Sequence, residues 1–336
     1  MNNFATATGI GSWPGTAARQ AAEVVVGELH SLSHLPELPA RGVGADLIGR
    51  AGALLVDIAI DTVPRGYRLV ARPGAVTRRA SSLLDEDVDA LEEAWEIAGL
   101  RGSGRPVKVQ APGPVTLAAE LELSNGHRAI TDPGAVRDLT GSLAEGVAAH
   151  RATLARRLET EVVVQFDEPL LAAALTGQLT GVTSLSPVRP TEVGVAVELL
   201  DTCVAAAGAQ VAVHTCAAGV PWNVLSRSAV NAVGVDTGVL RAGDLDGLGE
   251  FLESGRTVLL GVVPTAAPAT RPAVEEVAKA AATITDRLGF PRGVLARQVG
   301  ITPACGLAGA TADWARRAVE LCQKVADGFA ADPESI

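Results

Sequence analysis

The feature that most constrains the fold is an alternation of short apolar runs with longer segments rich in alanine and leucine. The short runs are rich in β-branched residues and are predicted to be strands at 6–10, 67–71, 107–110, 162–166, 211–214, 232–236, 258–262 and 299–302. Predicted helices between them include 87–98, 133–158, 191–207 and 272–288. Strands buried on both faces are continuously apolar, as in parallel sheets. Eight such strands separated by helices predict a (β/α)8 TIM barrel.

Composition limits the classes of protein to consider. Hydrophobic residues make up 48% of the 336 residues and charged residues 20%, a balance typical of a chain with a large core. No apolar run approaches the roughly 20 residues of a membrane span, and no secretory signal pattern is expected at the N-terminus. A net charge of −10 without a basic cluster argues against nucleic-acid binding. No linker divides the chain, so residues 1–336 are predicted to form one domain.

The four cysteines fall into two pairs with different surroundings. Their uneven spacing is unlike a disulfide framework and favours a reducing, cytoplasmic location. Cys203 and Cys322 lie in alanine-rich helical segments, where a thiol is usually a small buried hydrophobe. Cys216 and Cys305 instead follow predicted strands, so these two are the candidates for chemistry.

Polar residues that could carry chemistry cluster where predicted strands end. In a TIM barrel the carboxyl ends of the strands form the catalytic face. The residues at such ends come from five different strands and are Ser12, Asp167, Glu168, His214, Cys216, Asp236 and Cys305.

The pattern His214-Thr215-Cys216 predicts two ligands for one metal ion. Residues two apart on a strand point the same way, so His214 and Cys216 can face one ion, with Cys305 as a third ligand. Imidazole and thiolate are the ligands that Zn²⁺ favours. Asp236, at the end of the next strand, is the candidate fourth ligand, although it could equally cap the following helix. A buried histidine and buried thiols without metal are the alternative interpretation.

The remaining residues suggest an anchor for a small amino acid. In Asp167-Glu168-Pro169, adjacent carboxylates point to opposite sides of a strand, so Asp167 could receive a substrate ammonium while Glu168 makes structural contacts. Gly11 and Ser12 offer N–H groups and a hydroxyl to a carboxylate. Gly113 would let a ligand approach the backbone closely. An amino-acid anchor beside a thiophilic metal indicates alkyl transfer to sulfur.

Five motifs occurring in order carry a family resemblance. They are Ile10-Gly11-Ser12-Trp13-Pro14, the segment 111–117 (APGPVTL), the segment 165–169 (QFDEP), His214-Thr215-Cys216 and the segment 303–307 (PACGL). With these motifs, nearly the whole chain resembles the catalytic C-terminal barrel of cobalamin-independent methionine synthase. The resemblance implies a (β/α)8 fold and a zinc-dependent methyltransferase that converts homocysteine to methionine.

The resemblance also implies roles for individual residues. His214, Cys216 and Cys305 correspond to zinc ligands, and Asp236 stands where the family has a glutamate ligand. Ile10, Gly11, Ser12 and Asp167 correspond to residues that hold homocysteine, and Asp167 is also the candidate catalytic residue.

Departures from the family pattern leave the methyl donor open. The family's proton-donating histidine follows the seventh strand, yet the segment 261–268 contains none, and Ala118-Ala119 replaces an expected tryptophan. The additional N-terminal barrel of full-length members, which helps to bind folate, is expected to be missing. N5 of methyltetrahydrofolate leaves poorly without protonation. The donor is therefore either methyltetrahydrofolate or a methylated corrinoid protein.

Three other functions are compatible with parts of the pattern. One is a methyltransferase acting on another small thiol, and a second is a non-catalytic zinc-binding barrel. A third, a uroporphyrinogen-decarboxylase-like protein, needs basic residues for many carboxylates, and only Arg65, Arg68 and Arg72 form a nearby cluster. An ammonium partner at Asp167 favours the amino-acid thiol.

Overall fold

A computed structural model of the chain describes residues 2–182 and 187–336. The strands in these residues are β1 (Ser33–His34), β2 (Ala59–Val63), β3 (Gly66–Val70), β4 (Val107–Pro112), β5 (Leu121–Glu122), β6 (Val162–Asp167), β7 (Val211–Thr215), β8 (Ala232–Asp236), β9 (Thr257–Val263) and β10 (Val299–Pro303). The helices are α1 (Ala18–Glu28), α2 (Leu47–Ala51), α3 (Ala75–Ile97), α4 (Pro114–Glu120), α5 (Pro133–Leu158), α6 (Leu171–Thr176), α7 (Val193–Ala207), α8 (Trp222–Leu225), α9 (Asp244–Glu253), α10 (Val274–Arg287), α11 (Val294–Gln298) and α12 (Ala312–Ala331).

Seven parallel strands form one curled sheet in the order β1-β4-β6-β7-β8-β9-β10. The predicted first strand, 6–10, bridges the two edges of this sheet. On one side Ile301 N–H donates to Thr6 O at 2.9 Å and Thr8 N–H donates to Ile301 O at 3.2 Å. On the other side Glu37 N–H donates to Gly11 O at 3.1 Å. The sheet and this segment together confirm the predicted α/β barrel with helices around it.

The predicted second barrel strand, 67–71, was wrong. Gly66–Val70 is a strand, but it pairs antiparallel with Ala59–Val63 in a separate three-stranded sheet. Its side chains are mostly half-exposed, unlike those of a central parallel strand. The second barrel position belongs to Ser33–His34, which pairs in parallel with β4. Two residues are too few to give a recognisable β-branched run.

The predicted helix bounds match those of the structure at one helix with a clear capping signal and differ at another. The helix predicted at 133–158 has these bounds in the structure, where Asp132 caps its first turn and Pro133 occupies its first position. The helix predicted at 87–98 begins twelve residues earlier, at Ala75. The missed turns carry only a narrow apolar stripe, with Ala80 and Leu84 buried among exposed neighbours. No helix of the described residues is both long and apolar enough to span a membrane.

The barrel interior changes from apolar to polar along the strands. A small cluster fills its floor and consists of Phe4, Leu32, Val163, Ala212, Ala232 and Leu259. Since side chains alternate along a strand, the next inward positions after Val163 are Gln165 and Asp167, and those after Ala212 are His214 and Cys216. All four lie toward the carboxyl ends of their strands, where TIM barrels carry their active sites.

Candidate active site

Three predicted metal ligands meet at the carboxyl end of the barrel. The ligand atoms of His214, Cys216 and Cys305 all lie within 4.8 Å of one another. The first two come from the end of β7 and the third follows β10, with β8 and β9 between them in the sheet. Barrel closure therefore brings together residues that are about 90 positions apart in the sequence.

His214 is buried without a hydrogen-bond partner for either ring nitrogen among the described residues. Buried polar groups normally have a partner, and leaving one unpaired is costly. Gly234, on the neighbouring strand, leaves room beside the ring, since a Cβ there would lie 3.3 Å from Nδ1. An imidazole in this state has a nitrogen free to bind a metal ion.

The pKa values of the two cysteines shift in opposite directions. The pKa of Cys305 is lowered to about 4, chiefly because the Cys216 side chain hydrogen-bonds to its sulfur and also because His214 lies close. The same hydrogen bond, together with burial, raises the pKa of Cys216. Cys305 is therefore the more acidic of the two thiols, and the thiolate is the form of sulfur that binds metals. A metal ion bound to both sulfurs would displace their protons.

Asp236 lies at the end of β8 but outside this three-residue cluster. Its Oδ1 accepts a hydrogen bond from Gly238 N–H at 2.8 Å, which caps a local turn rather than a helix. Its assignment as the fourth ligand stays a prediction.

Asp167 lies beside the cluster and is buried. It is the register partner of His214 across β6 and β7, and its Oδ1 accepts a hydrogen bond from Gln165 Nε2 at 2.8 Å. Burial raises the pKa of Asp167 to about 6, while His214 and Lys108 act in the opposite direction. Among the described residues, no cationic group is in direct contact with this carboxylate.

The segment from Ile10 to Ser12 is tied to the same rim. Ile10 O accepts hydrogen bonds from Gln165 Nε2 at 2.7 Å and from Lys108 Nζ at 3.2 Å. Ser12 O accepts from Leu307 N–H at 2.8 Å, and Gly306 passes so close that a Cβ there would lie 1.9 Å from Ser12 Oγ. The predicted carboxylate-binding residues therefore adjoin the loop that carries Cys305.

Glu168 has a structural environment, as the strand alternation predicts. Its carboxylate accepts hydrogen bonds from the N–H groups of Val115 and Thr116 and from the Thr116 hydroxyl, at 2.6–2.9 Å. It thereby caps α4, whose own N-cap is Gly113 and has no side chain. A Cβ on Gly113 would lie 2.3 Å from Glu168 Cδ. The group that approaches this glycine is thus Glu168 rather than a ligand.

Replacing Glu168 by alanine is expected to destabilise the fold by about 3–5 kcal/mol, because three buried donors lose their acceptor. Glu168→Gln keeps one acceptor oxygen and is expected to cost about 1–2 kcal/mol. The measurement is the free energy of unfolding in urea. Equal stabilities for Glu168→Ala and the unmodified chain would contradict this capping role.

Sequence reasoning missed a buried polar group in β4. Lys108 is fully buried and contacts Gln165 and Ile10 O. Burial lowers the pKa of Lys108 to about 7, although the nearby carboxylates of Asp167 and Glu37 act to raise it. The available signal was the alternation of Lys108 and Gln110 with apolar neighbours, which marks polar side chains that point into a barrel.

The chain resembles known proteins over nearly its full length. It matches the family model described as the cobalamin-independent synthase catalytic domain over residues 4–328. A B12-independent methionine synthase from Shewanella sp. W3-18-1, solved with selenomethionine, has a similar structure, with 14% identity, a TM-score of 0.59 and coverage of 96% of this chain and 97% of that one. A putative vitamin-B12 independent methionine synthase from Listeria monocytogenes is also similar, with 11% identity, a TM-score of 0.58 and coverage of 97% of this chain and 99% of that one.

A methyltransferase from Methanosarcina mazei is a third similar structure, with 17% identity, a TM-score of 0.55 and coverage of 98% of this chain and 93% of that one. At such identities these three structures indicate a shared fold. No curated protein sequence matches the chain.

Proposed function

Because the chain belongs to the family of cobalamin-independent methionine synthase catalytic domains, we propose that it transfers a methyl group to the sulfur of homocysteine in a zinc-dependent reaction and forms methionine. The observation that carries this proposal is the meeting of His214, Cys216 and Cys305 at one rim. Asp167 lies on the neighbouring strand and supplies a carboxylate for the ammonium of an amino acid.

The donor set fits Zn²⁺. In a tetrahedral zinc site with bonds of about 2.0–2.3 Å, the donor atoms lie roughly 3.3–3.8 Å apart. The three ligand atoms lie within 4.8 Å, so side-chain shifts of about 1 Å would bring them to that spacing. Bound zinc lowers the pKa of a coordinated thiol and keeps the resulting thiolate available as a nucleophile. Since the ligand thiols must stay reduced, the cytoplasm is the compartment that suits this protein.

The fourth ligand of the proposed zinc site would determine how readily the site can accept a substrate sulfur. We assign it to Asp236, which would exchange its hydrogen bond to Gly238 N–H for the metal. A carboxylate is the weakest ligand of this set for a soft, thiolate-rich site. Asp236 would therefore be the most weakly held of the four ligands, as expected at a catalytic rather than a structural zinc.

The substrate is held by the other half of the site. Asp167 is buried and can pair with the homocysteine ammonium without a competing cation in direct contact among the described residues. The backbone N–H groups at Gly11 and Ser12 and the Ser12 hydroxyl are the candidates for binding its carboxylate. Holding both charged groups fixes the position of the thiol beside the metal ligands, and this orientation removes much of the entropic barrier to alkyl transfer.

The methyl donor is either methyltetrahydrofolate or a methylated corrinoid protein. The segment 261–268, which spans the end of β9 and the loop that follows it, contains no histidine that could protonate the folate nitrogen. A corrinoid methyl group needs no such proton, because its leaving group is the reduced cobalt. The absence of an acid at this position supports the corrinoid donor.

The test combines metal analysis with methyl transfer. Protein purified under reducing conditions is expected to hold about one zinc per chain, and homocysteine is expected to add one sulfur neighbour at about 2.3 Å in zinc X-ray absorption. Methionine formation is then measured with free methylcobalamin, a methylated corrinoid protein and methyltetrahydrofolate. Zinc far below one per chain after reconstitution, or no methionine with any donor, would overturn the proposal.

A further inference from the structure

Lys108 occupies the centre of the barrel, between the apolar floor and the candidate substrate anchor. Its side chain is fully buried and its Nζ donates to two oxygens, Ile10 O at 3.2 Å and Gln165 Oε1. It forms no direct ion pair with any carboxylate in residues 2–182 and 187–336. Burying an amine without a carboxylate in contact is expensive for the fold. An apolar side chain would fill the space at a lower free-energy cost to the fold. The groups that Lys108 contacts therefore indicate its role.

The contacts of Lys108 fix the orientation of the Gln165 side-chain amide. At one end the amide Nε2 donates to Asp167 Oδ1 at 2.8 Å and to Ile10 O at 2.7 Å. At the other end Oε1 faces Lys108. An ammonium group only donates, and the Ile10 carbonyl and the Asp167 carboxylate only accept. A reversed amide would place oxygen against two acceptors and nitrogen against a donor, so both ends select the same orientation.

We propose that Lys108 is a positioning residue that acts through Gln165 to fix Asp167 as the receptor for a substrate ammonium. This inference rests on the proposed function and extends it to the specificity of the site. Gln165 occupies one carboxylate oxygen of Asp167, and the other oxygen is left for the substrate. Without Lys108, Gln165 Oε1 would be buried without a donor, and the amide would turn away from Asp167 to find one.

The test compares two ligands that differ only in the ammonium group. Homocysteine and 4-mercaptobutyrate share the thiol, the chain length and the carboxylate. Zinc-reconstituted protein is titrated with each by calorimetry. The unmodified chain is expected to bind homocysteine at least about 100-fold more tightly, because a site built to hydrogen-bond a group rejects the analogue that lacks it. Lys108→Met is expected to lower this ratio about 10-fold or more with zinc content unchanged.

Two further variants separate positioning from general damage to the fold. Gln165→Met breaks the same connection while keeping Lys108, and the double variant is expected to lose no more discrimination than either single variant. Arg105→Met is the matched control. Arg105 lies just before β4 and, like Lys108, is a cation that donates to backbone oxygens, in this case those of Val26 and Leu29. It is partly buried, whereas Lys108 is fully buried. It is expected to leave the ratio unchanged. Should Lys108→Met fail to fold, Gln165→Met decides.

The outcomes distinguish this inference from the function on which it rests. If the unmodified chain prefers homocysteine and both variants keep that preference, the positioning role is overturned and the proposed function stands. If the unmodified chain binds both ligands equally, the ammonium anchor is wrong and the homocysteine assignment fails with it. A loss of affinity for both ligands in equal proportion would assign Lys108 a merely structural role.

Discussion

Cys305→Ala is expected to abolish zinc binding and methyl transfer together. The variant removes the more acidic thiol of the cluster and leaves two of the three predicted ligands, His214 and Cys216. Apparent zinc-binding energies of about 10–16 kcal/mol are shared among three or four ligands, so the loss of one thiolate costs several kcal/mol. We expect zinc to fall below about 0.1 per chain after dialysis and methyl transfer to fall by about 10³-fold or more. Metal analysis by mass spectrometry and a methionine assay measure the two effects.

Cys322→Ala is the matched control for this prediction. Cys322 is fully buried in α12 and belongs to the core rather than to the ligand cluster. Its replacement is expected to keep one zinc per chain and to cost about 1 kcal/mol of stability. Full zinc retention in Cys305→Ala would contradict the assigned ligand set.

The meeting of the three predicted metal ligands was foreseeable because the arrangement is local to each strand end. The period of two on a strand places His214 and Cys216 on one side, and both follow a continuous apolar run that is recognisable in the sequence. Cys305 could be added because it follows the last such run. Their convergence required only that the strands close into a barrel, which the alternation of strands and helices already predicted.

Other parts of the fold depended on contacts that leave little trace in the sequence. The two-residue strand Ser33–His34 owes its place to pairing with β4 and to the closing segment, not to its own β-propensity. The second strand of the hairpin, Gly66–Val70, has strand-like composition, so the segment 67–71 was mistaken for part of the barrel. Position along the chain cannot tell a barrel strand from an added hairpin when both are short and half-apolar.

The substrate side of the site was only partly predictable for a related reason. The expectation that Asp167 and Glu168 point apart follows from strand geometry, and their hydrogen-bond partners differ accordingly. The hydrogen bonds from Lys108 through Gln165 to Asp167 and to Ile10 O join two strands, β4 and β6, and the segment 6–10. Such a network is set by side-chain direction inside a closed barrel, which only the three-dimensional structure defines.

Asp167→Asn is expected to lower kcat/KM for homocysteine by about 10²–10³-fold while leaving zinc content unchanged. The substitution keeps the size of the side chain but removes the negative charge that pairs with the ammonium, and truncating one partner of a buried charge pair typically costs about 2–5 kcal/mol. Asparagine keeps an oxygen that can accept the hydrogen bond that Gln165 Nε2 now donates to Asp167 Oδ1. Its NH2 group then faces the substrate ammonium, where a donor meets a donor. The loss should appear mainly in KM if the ammonium contact is equally strong in the ground and transition states.

Turnover of 4-mercaptobutyrate, which has no ammonium, should fall much less in Asp167→Asn than turnover of homocysteine. Glu168→Gln supplies the matched control, since it neutralises the adjacent carboxylate, whose partners are the N–H groups of α4. That variant should be less stable yet retain its preference for homocysteine. The two variants Asp167→Asn and Glu168→Gln could instead lower the turnover of both thiols to the same extent. In that case Asp167 would stabilise the barrel rather than bind the substrate. The amino-acid anchor would then have to be sought among the other buried acids near the rim, of which Glu37 pairs through its backbone with Gly11.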